Sequence, residues 1–241
     1  MNRLELRKVT LVTPSQGIGR YWGFALLALI LATTAIFLCP PATPAKEIPA
    51  VGVPSHGENA LEFLGRSDQD GLAVTHYGYF THIFGLADAE LFSNPANRTE
   101  ATARFTFSAT TTLNARHELG NIIVTTAPGT LTIYFNETPG ADFNQPASFA
   151  NGHPIATFSV RYHNVLNTQG PNEGIISAAV ELVQLSASPF TLNERHHRLG
   201  RHGLRERIRA SGQGTRTQVD PVRAFFLLGG EATIADRKVL R

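Results

Sequence analysis

The chain has a single cysteine, Cys39, and it lies near the N-terminal end. The body therefore has no disulfide to rely on and no thiolate for nucleophilic or metal chemistry. It must be held by burial alone, and about 200 residues suffice for a core. Excess charge is lacking too. Charged residues are 17% of the 241, and the formal net charge is +2. Arg3, Arg7, Lys8 and Arg20, against Glu5 alone, supply that excess within the first 45 residues. The remainder is nearly neutral and exerts little long-range pull on nucleic acid, so no nucleic-acid partner is expected.

Several catalytic and cofactor motifs are missing. "HELGN", His117 to Asn121, starts like a zinc-protease helix but lacks the second histidine, and Gly120 breaks the helix. "DQDG", Asp68 to Gly71, has its glycine too early for a calcium loop and no closing glutamate, so it reads as a turn. "GQGTRT", Gly212 to Thr217, stops short of a dinucleotide fingerprint. No G-x-S-x-G elbow is present. No cofactor, metal or defined catalytic set is expected.

What is present begins with "YWGFALLALILATTAIFL", Tyr21 to Leu38, free of charge. As a helix, 18 residues reach about 27 Å, close to a bilayer core. Basic residues precede it, so everything after residue 39 is expected outside the cytoplasm: periplasmic, extracellular or lumenal. The run is either the core of a signal peptide, cut after Ala45, or an uncleaved transmembrane anchor. The chain then divides into a basic n-region (1–20), this apolar segment (21–38), a Pro/Ala-rich tether (39–70), a β domain (71–236) and a tail (237–241).

From residue 71 the text is strand-like. Leu72 to Phe84 is rich in β-branched and aromatic residues. Ala103, Phe105, Phe107 and Ala109 alternate with Thr102, Arg104, Thr106 and Ser108. "NIIVTT" and "GTLTIYFNE" flank an "APG" turn signal, and period-two strands follow at Ile155–Leu166, Gly174–Ser186, Leu204–Ser211 and Val222–Ala235. Leu86 to Phe92 is the one helical candidate. About eight antiparallel strands, each with one apolar face, predict an all-β barrel of lipocalin- or cyclase-like shape, with a β-sandwich as the alternative. No stretch carries a family signature.

Parity then nominates polar residues on apolar faces. His76, Phe80 and His82 share one face of the Leu72–Phe84 strand, while Tyr162, Gln184 and Glu206 fall on the apolar faces of theirs. They read as hydrogen-bonded core or rim groups, or as the lining of a pocket. The stretch "RHHRLGRHGLRERIR", Arg195 to Arg209, has two halves. Its glycines make the first loop-like, and its arginines repel any cation that His196, His197 and His202 would bind. In the second, Arg205, Arg207 and Arg209 share one face, either a solvated strand surface or an anion patch. Three functions are compatible with this text. The first is an exported or membrane-tethered barrel binding a small, largely apolar molecule. The second is a cyclase or isomerase using the same cavity, with Glu206, Tyr162 or a histidine moving a proton. The third is a structural or adhesive module whose arginine face meets an anionic partner. Oligomeric state is not readable from the text.

Overall fold

The computed structural model describes residues 48–236. The expected leader or anchor at 21–38, the basic segment before it and the tail at 237–241 lie outside the described residues. Among the described residues no helix is long and apolar enough to cross a membrane.

Eight antiparallel strands close on themselves. They are β2 (Asn59–Asp70), β3 (Ala73–Ile83), β4 (Phe105–Thr112), β6 (Ile122–Phe135), β7 (His153–Gly170), β8 (Glu173–Ala187), β11 (Arg205–Gln218) and β12 (Arg223–Ile234). Each pairs with the next, and β12 returns to β2. A short strand, β5 (Ala115–Leu119), extends the β4–β6 connection and pairs with the start of β6. A separate small sheet joins β1 (Ala50–Val51), β10 (Arg195–Leu199) and β9 (Pro189–Leu192). The β-barrel is thus present and the sandwich alternative is not.

The eight strands are not quite the eight read from the sequence. The barrel starts at Asn59, inside the stretch assigned to the tether. The inward residues of β2 include Gly65 and Ser67, which conceal its alternation from a hydrophobicity reading. Conversely, "NIIVTT" and "GTLTIYFNE" are one strand, β6, running straight through Ala127-Pro128-Gly129. Pro128 is tolerated because β6 changes partner there: it pairs with β5 up to Thr126 and with β4 from Gly129. A residue without an N–H costs no ladder bond at that seam. The helical candidate is only a 3-10 turn, Asp88–Leu91. Arg195–Leu199, expected as loop, is strand β10.

Strand direction gives the barrel two unlike ends. At the rim lie the turns β2–β3, β7–β8 and β11–β12 and the β5 hairpin. At the other end β9 lays Phe190 onto Phe105 and Phe135, which face one another in the β4–β6 ladder. Ring centroids there are 5.1–5.4 Å apart. Leu192, Leu199, Leu91 and Val51 complete this plug, all buried in one continuous core. A strap of residues 136–152 covers part of the outer wall. It buries Tyr77 against Phe149 and Phe143, and Thr106 Oγ1 donates to the Phe149 carbonyl. Period-two parity alone places Tyr77 and Thr106 in solvent, and the strap reverses that.

Two glycines shape the inner wall. Gly65 and Gly78 face each other across β2 and β3, and the Phe107 ring lies over both. A Cβ on Gly78 would come within 2.2 Å of the Leu64 carbonyl and 2.8 Å of the Phe107 ring. We expect Gly78→Ala to destabilise the barrel by about 1–3 kcal/mol in urea unfolding, because backbone must move to admit the methyl. Gly170→Ala, which meets nothing within 4 Å, should stay within about 0.5 kcal/mol of the parent.

Candidate functional site

The plugged half of the barrel is filled with large rings, whereas the rim half is not. Gly174, Ala178, Gly214, Ala224 and Ala127 occupy inward positions on its walls, and these short side chains leave space. A cavity of about 180 Å³ results, reaching the rim at Gly170–Gly174 and Val222. Its walls are mainly apolar, including Val74, Ile123, Leu166, Ile176 and Phe226. Polar side chains join them: Asn164 level with Ala178, Gln69 level with Val74, and Thr168 and Arg216 close to the rim turns. The Arg216 guanidinium is held by neutral acceptors, the Pro171 carbonyl and Asn172 Oδ1. A second, smaller chamber of about 40 Å³ lies beyond, lined by Phe63, Phe80, Phe107, Leu131, Val180 and Ile208 among others.

His76 and Tyr162 line both spaces. Their rings stack at 4.4 Å with planes 7° apart, forming a shelf between the cavity and the inner chamber. His76 is fixed from both sides: Nδ1 lies 2.7 Å from Ser67 Oγ and Nε2 2.9 Å from Thr111 Oγ1. All three residues are buried. Burial lowers the His76 pKa to about 4, so the ring is neutral at physiological pH. A neutral imidazole has one donor and one acceptor nitrogen, so one hydroxyl donates to it and the other accepts. Burial likewise pushes the Tyr162 phenol above its ordinary value of 10, which keeps it protonated.

The other nominated residues fall in different places. Phe80 lines the inner chamber. His82 does not face the interior. An irregularity in the β2–β3 ladder leaves Thr81 unpaired and turns His82 outward, where Nδ1 meets Asp88 Oδ1 at 2.8 Å. Gln184 is buried but serves as a clamp. Its Nε2 donates to the Leu199 and Ser186 carbonyls and its Oε1 accepts from the Arg201 N–H, tying the β10 return to the wall. Gly200, at φ +62°, must be glycine there, because a Cβ would fall 2.0 Å from Gln184 Oε1. Glu206 is buried at the plugged end, opposite Ile234 and Leu182, and lines neither the cavity nor the inner chamber. Arg205, Arg207 and Arg209 share the outer face of β11, as alternation predicts. However, Glu181 lies beside Arg207 and Glu231 beside Arg209 on the flanking strands, so the face is of mixed sign.

The sequence reading missed Ser67 and Thr111. Ser67 lay in the presumed tether. Thr111 is two places beyond Ala109 on the face already recognised, and extending that alternation would have found it. Comparison with family models, with curated proteins and with solved structures finds no match.

One buried acid governs a measurable pH response. Glu206 has no partner for Oε2, and burial, assisted by Asp236, raises its pKa from 4.5 to about 8. The folded state therefore keeps a proton that the unfolded state releases, and the stability so gained is full below pH 4.5 and lost as pH rises towards 8. Glu206→Gln removes this loss. The stability of the variant minus that of the parent should rise with pH between about 4.5 and 8, by up to ~1.4 kcal/mol per pH unit, and be flat outside that window. Parallel denaturation curves across that range would contradict the assignment.

Proposed function

We propose that this chain is an exported or membrane-tethered β-barrel that binds a small, largely apolar molecule in the rim-half cavity. The observation carrying this reading is the hollow itself. A barrel that packs phenyl rings tightly at one end keeps glycine and alanine at the other, over a shelf of two ordered rings. A dry engineered cavity of about 150 Å³ is enough to admit benzene, and this one is of that order. The mainly apolar lining, with Gln69, Thr168 and Arg216 at the rim, favours a molecule whose hydrocarbon part enters first. Export rests on the apolar run Tyr21–Leu38 and the basic residues before it.

The cyclase or isomerase reading would use the same cavity but draws less support. A carboxylate paired with a histidine would have been its best proton-transfer set, and Glu206 lines neither space that His76 lines. His76 has both nitrogens engaged and a depressed pKa, which makes it a poor base near neutrality. The adhesive reading draws less still, since Glu181 and Glu231 interrupt the arginine face.

Isothermal titration with α-methylstyrene, a neutral hydrocarbon of a phenyl ring carrying an isopropenyl group, tests the binding reading. One molecule should bind per chain. Ala178→Ile, which fills space shared by both chambers, should weaken binding by about tenfold or more while leaving the far-ultraviolet spectrum unchanged. Undiminished binding by that variant would move the site elsewhere.

A further inference from the structure

Tyr162 is more than nine-tenths buried, at 8% exposure, yet its hydroxyl makes no hydrogen bond to another described residue. Buried tyrosine hydroxyls ordinarily find a partner, because an unsatisfied one carries its full desolvation cost. Nor is this hydroxyl sealed inside the packing. The sealed, unpartnered side-chain atoms among the described residues belong to Asn59, His197, Arg198 and Glu206. The Tyr162 hydroxyl instead opens onto the enclosed space that the ring lines. Its neighbours on the shelf do not serve it: the Ser67 and Thr111 hydroxyls bond to His76, and neither bonds to Tyr162. Stacking on His76 fixes the plane of the ring and hence the line along which the hydroxyl points.

We infer that the natural ligand is an oxygenated hydrocarbon, and that Tyr162 donates a hydrogen bond to a carbonyl or ether oxygen carried on its buried part. This rests on the ligand-binding reading above and narrows it. The hydrocarbon contacts supply most of the affinity, and the phenol supplies selectivity for an acceptor over an isosteric apolar group. The site is asymmetric in that respect, since bringing a pure hydrocarbon against the hydroxyl strips its solvation and returns nothing. Burial raises the phenol pKa, which keeps it a donor and excludes a role as a base at physiological pH. Tyr162 is therefore a binding residue in this proposal, with no bond made or broken.

The test compares acetophenone with α-methylstyrene, which differ by C=O against C=CH₂ at nearly constant shape, on the full chain and on Tyr162→Phe. The parent should prefer acetophenone by roughly tenfold. Tyr162→Phe should bind the two about equally, mainly through weaker binding of acetophenone. Its melting temperature should match or exceed the parent's, because an unpartnered hydroxyl has been removed. The carbonyl stretch of bound, isotope-labelled acetophenone should lie at lower wavenumber in the parent than in the variant. Equal affinities in the parent, or a preference that survives in Tyr162→Phe, would overturn the inference while leaving the binding reading intact. Failure of both probes to bind the parent would overturn both.

Discussion

Closure of the sheet by the β4–β6 ladder is the constraint on which everything else depends. Phe105 to Thr111 pair with Phe135 to Gly129, and this one seam converts a meander into a barrel. Closure removes the exposed edges that a sheet of this size would otherwise present. It also fixes the number of inward side chains at each level, so that the volume of those side chains decides what is solid and what is hollow. At the plugged end Phe105 and Phe135 sit across the seam and Phe190 stacks on both. At the rim end the seam runs out at Pro128, β6 pairs with β5 instead, and small inward side chains leave the cavity.

Polar groups within the closed sheet divide into those that are satisfied and those that are not. Gln184 spends its amide on the β10 return and is a structural clamp. His76 spends both nitrogens on Ser67 and Thr111 and is an ordered, neutral platform. Each of these would be costly to lose, because truncation strands buried partners. Glu206 and Tyr162 are not satisfied in this way, and they differ in kind. The carboxyl is sealed at the plugged end and keeps its proton, whereas the phenol opens onto space a ligand can enter. The first shows up in stability against pH, the second in recognition.

Much of this was legible in the residues. Period-two alternation around Phe105, Ile133, Phe158 and Val180 predicted a common interior, and all four are buried in one core. The same parity put His76 and Tyr162 inside. It went astray where the backbone departs from a regular pleat or where something covers the outer wall. The irregularity at Thr81 turned His82 out, and the 136–152 strap buried Tyr77 from the wrong side. Strand β2 was overlooked because Gly65 and Ser67 stand where a hydrophobicity count expects large apolar groups. Those small residues make room for Phe107 and for the His76 bond, so what hid the strand is what shapes the site. That Glu206 and His76 occupy different levels of the barrel could not be read from parity, which tells inside from outside but not depth.

Where a bound small molecule touches the protein distinguishes an open barrel interior from a closed one. Nuclear Overhauser contacts from acetophenone protons to assigned side chains report this without any substitution. Contacts are expected to the rings of His76 and Tyr162 and to the methyl of Ala178. Contacts confined to the outer wall, at Leu64 and Leu227, would show that the barrel interior is closed to ligands and that the hollow has another cause.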